Sequence, residues 1–226
     1  MKSMNRKVRV LAQALGNSYS AIGKQKIFCI GQNKTGTTSL AVALRNLGVP
    51  VGRQSWAERL LSDWGRRDFR RIAWYCRTAQ AFQDVPFSLP YTFQAMDIHY
   101  PGSKFILTVR DNPEQWYQSL INFLIKKFGR EAISSQDALK EVAYCYKGFI
   151  SDVQSLSHGV TNEAPYNKDV LISYYNFHNK MVVDYFRNRP EDLLVLNVAE
   201  PGAHRKLCEF LNLTCHSDEF PWENKT

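Results

Sequence analysis

Acidic residues are missing from the start of the chain. No Asp or Glu precedes Glu58, whereas Lys2, Arg6, Lys7, Arg9, Lys24, Lys26, Lys34, Arg45 and Arg53 do. The whole chain carries a formal charge of +8. Such a surface favours anionic partners, and residues 1–24 read equally well as a basic tail with a solvated face. Long apolar runs are also missing. None reaches the ~18 residues of a membrane span. Residues 1–24 hold no uninterrupted apolar stretch, which argues against a secretory signal, while an acid-poor start with Arg and Ser resembles an organelle transit peptide. The five cysteines form no C-x-x-C pair and are odd in number. That argues against a disulfide framework and a structural zinc site. Cys29 and Cys208 fall in apolar patterns and are expected as packed thiols.

Short apolar runs alternate with helical patterns, and there is no repeat. This predicts an α/β fold, a three-layer parallel sheet with flanking helices. Residues 25–226 are expected to form one domain behind the basic segment 1–24. KIFCIG reads as the first strand, and TTSLAVALRNLG as a helix ending at Gly48. A helical stretch interrupted near Gly65 comes next. AQAFQD then reads as a short strand, with Pro86 opening a helix. KFILTVRD is the clearest strand, and Pro113 starts the helix after it. Residues 135–156 have helical spacing, a long helix covers 169–188, and a strand and a helix close the chain. In such sheets ligands bind beyond the carboxyl ends of the strands. That rule brings together the loop after Ile30, Asp84, and Arg110-Asp111.

The loop IGQNKTGTTSL carries Gly31 and Gly36 at the separation of a nucleotide triphosphatase P-loop, but Thr37 stands where that motif has its lysine. Its lysine is Lys34, ahead of the second glycine. Backbone N–H groups at a helix N-terminus can still hold phosphate oxygens. Thr35, Thr37, Thr38 and Ser39 add hydroxyl donors without charge, and Lys34 adds one mobile cation. No set of metal-binding carboxylates accompanies the loop, so the pattern requires no metal.

At these residues the sequence resembles a family. KTGTT after a strand looks like the 5′-phosphosulfate loop of sulfotransferases, which move a sulfuryl group from 3′-phosphoadenosine 5′-phosphosulfate (PAPS) to an acceptor hydroxyl or amine. FILTVRDNPEQWYQSL resembles the family's 3′-phosphate site, which implies that Arg110 and Ser119 grip that phosphate. The family pattern has one residue fewer here. Asn112 stands as the insertion, expected as a bulge before the helix. QDVPFSLP resembles the segment carrying the general base. The cytosolic branch has a histidine there, and carbohydrate-acting branches use a carboxylate. The resemblance is therefore to a branch with a carboxylate base. Asp84 is read as base or acceptor-orienting residue, and alternatively as the N-cap of a helix opening near Pro86. His178 is the second candidate, ahead of His99 and Glu58. LVLNVAEPGAHRKLCEFLNL…FPWEN looks like the end of one branch.

Two family features are absent. There is no Arg-Lys-Gly motif, and Ser39 replaces the tryptophan that lies against adenine, leaving Phe220 and Trp222 as candidates. The resemblance implies PAPS as donor substrate, 3′-phosphoadenosine 5′-phosphate as product, and a small-molecule or carbohydrate acceptor, with no nucleic acid as partner. Residues 130–190 are expected to shape the acceptor pocket. Trp74-Tyr75, Tyr91–Phe93 and Tyr174–Phe177 are candidates to line it. A nucleotide kinase or NTPase, and a noncatalytic module binding adenosine bisphosphate or a polyanion, remain as alternatives. The expected location is cytoplasmic, or an organelle reached through the basic N-terminus. Oligomeric state is left open, with a homodimer the commonest soluble arrangement.

Overall fold

The computed structural model describes residues 16, 17, 19, 21–158, 164–215, 217 and 219–221. Most of the expected N-terminal segment, and Trp222, lie outside the described residues. Four strands form one sheet: β1 (Ile27–Cys29), β2 (Ala81–Phe82), β3 (Lys104–Thr108) and β4 (Leu193–Leu196). They are parallel, in the order β2-β1-β3-β4. Because β1 lies between β2 and β3, the segments leaving those two strands flank the loop leaving β1.

Side chains alternate across a strand, so a sheet buried on both faces needs two apolar sets. One set is Phe28, Phe82, Phe105 and Leu107, packed with Leu61 and Trp64 of α3 (Leu61–Gly65), Ile72 of α4 (Arg70–Tyr75), Phe93 of α5 (Thr92–His99) and Phe186 of α9 (Lys168–Phe186). The Phe28 ring stacks on Phe105 at 5.5 Å and on Phe82 at 6.0 Å. Each fully buried ring of this kind contributes roughly 2–3 kcal/mol by area. The other set is Ile27, Cys29, Ala81, Ile106 and Leu196, packed with Leu40 and Leu44 of α1 (Thr37–Asn46) and Leu207 of α10 (Ala203–Phe210). The expected α/β fold with helices on both faces is thus present.

Local signals placed most helices well. Gly48 ends the turn after α1 with φ 77°, and its N–H donates to the Arg45 carbonyl. The break near Gly65 separates α3 from α4, with α2 (Gln54–Ala57) ahead of them. α6 (Pro113–Phe128) opens on Asn112, whose side chain accepts from the Gln115 N–H at 2.8 Å. The inserted residue is therefore a helix cap rather than a bulge.

Three expectations are corrected. Pro86 opens no helix: it follows a cis peptide, residues 84–91 form turns, and α5 starts at Thr92. The spacing over 135–156 resolves into two helices, α7 (Gln136–Glu141) and α8 (Phe149–Ser157), because Gly148 takes φ 84° between them. Cys208 is not a free thiol. It forms a disulfide with Cys215, since α10 ends at Phe210 and the chain folds back beside His204. A third, smaller apolar cluster joins Trp116 and Leu124 of α6, Leu139 of α7, and Leu171 and Tyr175 of α9. Among the described residues no helix is long and apolar enough to cross a membrane.

Gly31 is the first residue of the turn, and a β-carbon there would run into the side chain and backbone of Thr108. Gly31→Ala is expected to lower the thermal unfolding midpoint by roughly 5–10 °C. Calorimetry checks this, and an unchanged midpoint would contradict the packing.

Candidate active site

The loop that leaves β1 is held by its carbonyls. The Ile30 carbonyl accepts from His178 Nε2 at 2.8 Å. The Gln32 carbonyl accepts from the Thr35 hydroxyl, which also bonds the Thr108 hydroxyl. The Asn33 carbonyl accepts from Trp116 Nε1 at 2.9 Å, and the Lys34 carbonyl from Arg110 Nε at 2.7 Å. Donors from α9, α6, the segment after β3 and the loop's own Thr35 thus occupy the negative ends of the loop's peptides. Lys34 at φ 71° and Gly36 at φ 97° turn the chain into α1. No side chain caps that helix, and its first turn has no acidic residue. Its first N–H groups have no intrahelical partner and are available to an anion.

They open on a cavity of about 290 Å³ lined by Lys34, Gly36, Thr37, Thr38, Asp84, Arg110 and Lys127, among others. The Lys34 ammonium rests 4.1 Å from the centre of the Phe123 ring. Burial pushes its pKa down, and Arg110 adds to this, while Asp84 works in the opposite direction. Lys127 sits 4.1 Å over Tyr144.

Asp84 leaves β2 at φ 56° and is 5% exposed. A non-glycine residue in that region is uncommon and marks a site worth examining for function. Its Oδ1 is buried without a hydrogen-bond partner. Burial raises the carboxyl to about 6, against the lowering effects of a hydrogen bond with Thr37 and of the Lys34 charge. Since no helix begins at Pro86, Asp84 caps none, and the capping alternative falls away.

A second cavity, about 90 Å³, shares Asn33, Lys34, Phe123 and Tyr144 with the first. Trp116, Leu120, Phe149 and Val153 give it apolar walls. Tyr144, Phe149, Ile150 and Val153, from segment 130–190, contribute to its lining. Trp74-Tyr75, Tyr91–Phe93 and Tyr174–Phe177 are not part of this lining. Trp74 and Phe177 are exposed at 69% and 56%, and Tyr75 and Phe93 belong to the core. Glu58 also faces this cavity at 5% exposure, with burial raising its carboxyl to about 7 and Gln54 donating to Oε1 at 2.9 Å.

The structure therefore brings Lys34, Gly36, Thr37, Thr38, Asp84 and Arg110 to one cavity. Thr35 and Ser39 are buried behind the loop, and Ser119 is buried on α6 outside the cavity lining. His178 is not on the cavity either. It is fully buried, its Nε2 is engaged by Ile30, and burial pushes its pKa down to about 4. It props the loop from beneath. His99 is exposed at the end of α5. Phe220 packs against the cluster under β4, edge-on to His204. Lys127 and Phe123 were missed by the sequence reading. Their signal is the spacing of Ser119, Phe123 and Lys127, four residues apart on one helix face.

Comparison with protein families matches residues 26–226 to a sulfotransferase domain. No curated protein matches the chain. The chain belongs to the sulfotransferase family.

Proposed function

We propose that the protein transfers a sulfuryl group from PAPS to the hydroxyl, or amine, of a small acceptor. The observation that carries this reading is Asp84. A buried carboxylate oxygen without a partner lies at the cavity that also holds Lys34 and the uncapped end of α1. That pairing suits a reaction needing a base on one side and an anion hole on the other.

In the proposed reaction the acceptor oxygen attacks sulfur in line with the bond to the 5′-phosphate. The sulfur–oxygen bond of the donor breaks, and its electron pair leaves on the phosphate of 3′-phosphoadenosine 5′-phosphate. Lys34, the first N–H groups of α1 and the hydroxyl of Thr38 stabilise that developing charge. Arg110 and Lys127 supply further positive charge for the donor's phosphates. Arg110 fits the 3′-phosphate, and Ser119 is kept as its partner from α6, the helix that follows. Asp84 takes the proton of the acceptor. The Thr37 hydroxyl holds its carboxylate, which leaves Oδ1 for the acceptor. The apolar walls of the smaller cavity suit a ring or aliphatic body carrying the reacting group.

Asp84→Asn is expected to reduce kcat at least about 100-fold, as loss of a general base does. Wild-type kcat/KM should rise with pH through a pKa near 6, because only the ionised carboxylate accepts a proton. The same residue makes a stability prediction. Its folded pKa lies above the unfolded value of ~3.9, so the native state binds the proton more tightly and stability falls as pH rises between the two. Asp84→Asn should therefore be more stable than wild type at pH 7.5, by up to ~2–3 kcal/mol, and should lose that advantage near pH 4. A variant inactive yet no more stable at pH 7.5 would contradict the burial cost.

Titration calorimetry with 3′-phosphoadenosine 5′-phosphate, without magnesium, tests the donor site. Micromolar binding is expected, weakened at least about 10-fold by Arg110→Ala, since hydrogen bonds to charged groups are each worth ~1.5–3 kcal/mol. Lys34→Ala should lower turnover more than binding. Tight magnesium–ATP binding with none of the adenosine bisphosphate would replace this reading by the kinase alternative.

A further inference from the structure

A third cavity, about 630 Å³ and open to solvent, lies between the end of α1 and the segment that carries α2. Arg45, Arg53 and Arg59 line it, together with Glu58, Gln54 and Tyr144. The last three are shared walls: Gln54 and Tyr144 also line the cavity of Lys34 and Asp84, and Glu58 and Tyr144 line the apolar one. The three cavities therefore adjoin around Tyr144 and Glu58.

The arginines are notable for what they lack. Arg66 and Arg71 pair with Asp63, Arg70 with Asp68, and Arg189 with Asp97. Arg45, Arg53 and Arg59 form no ion pair among the described residues. Arg53 goes further, because its Nη1 is buried and has no hydrogen-bond partner, while its guanidinium lies 5.1 Å from the Trp56 ring. A guanidinium N–H left unmatched out of water is costly unless a ligand completes it. Glu58 does not supply the match. Its Oε1 accepts from Gln54, and it forms no ion pair among the described residues.

We infer that this cavity is an outer acceptor subsite, in which Arg45, Arg53 and Arg59 seat an anionic group of the acceptor while its hydroxyl reaches Asp84. The acceptor class is then an amphiphile, with an apolar body between a reacting hydroxyl and a carboxylate, phosphate or sulfate. Planar guanidinium groups suit such oxyanions because they bind two oxygens at once. The three carry more positive charge than the single carboxyl of Glu58 can offset. The inference rests on the sulfuryl-transfer reading and deepens it.

The test is a calorimetric series on the full chain saturated with 3′-phosphoadenosine 5′-phosphate. The probes are 4-hydroxyphenyl alkanoic acids of increasing chain length, each beside its neutral amide. At the length that spans the subsites the acid should bind roughly 10-fold more tightly than the amide, the scale of one hydrogen-bonded charge. Arg45→Gln/Arg59→Gln, two exposed positions, and separately Arg53→Gln, should collapse that ratio and leave the amide and the adenosine bisphosphate unaffected. Equal affinity of acid and amide at every length overturns the inference. So does absence of acid binding, or a preference that survives both variants. A matched methyl phosphate ester and sulfate ester of the best length then rank the anions. Failure of the sulfuryl-transfer reading is separately visible, as failure of the adenosine bisphosphate to bind at the outset.

Discussion

The loop after β1 is usable because its carbonyls are tied down. Four carbonyls are held: those of Ile30, Asn33 and Lys34 by donors from other parts of the fold, and that of Gln32 by the Thr35 hydroxyl of the loop itself. A free loop would turn some of these dipoles toward an incoming anion and repel it. Held as they are, the positive end of α1 dominates. This single constraint explains why residues far apart in sequence matter to one turn. It also assigns a role to groups with no chemistry of their own. His178 stays neutral because burial opposes its charge, and a neutral imidazole can still donate to Ile30. Trp116 serves the loop through its indole N–H while its ring stacks on Tyr175 at 4.6 Å.

The second constraint is the order of the sheet. With β1 between β2 and β3, the same loop receives Asp84 from one side and Arg110 from the other. The two bring opposite charge to one cavity. Arg110 is bound to the loop itself, so its charge and the loop's geometry are coupled. Asp84 is the costly member, in the left-handed region, buried and left with an open oxygen. In the proposed reaction, stability and chemistry would pull against each other there, as is common where function is built into a fold.

Much of this was legible in local sequence. Strand, turn and helix around KTGTT follow from an apolar run, two glycines and a hydroxyl-rich helix start. The boundaries of α6 follow from Pro113 and from the final apolar and basic residues, and only the meaning of Asn112 changed, from bulge to cap. What misled was context. Pro86 is a good helix opener in isolation, yet tertiary packing of Phe87 and Leu89 into the core holds 84–91 as turns. The aromatic residues expected at the acceptor cavity are typical of both core and pocket, and composition cannot separate the two. Cysteine parity spoke against a disulfide framework, but parity does not forbid one bridge when the chain turns back after α10.

By itself, the sequence determined the class of the fold, the glycine turn between β1 and α1 and the identity of its two charged neighbours, because these depend on residues adjacent in the chain and on the strand-end rule. The tertiary structure decided which polar groups face the cavity and which brace it. Thr35, Ser39 and His178 turn inward, while Lys127, Phe123 and Glu58 reach the cavities. The reason is physical: a hydroxyl, an imidazole or a long basic side chain suits a buried brace as well as a binding site. Only the packing of helices against the sheet fixes which partner it meets.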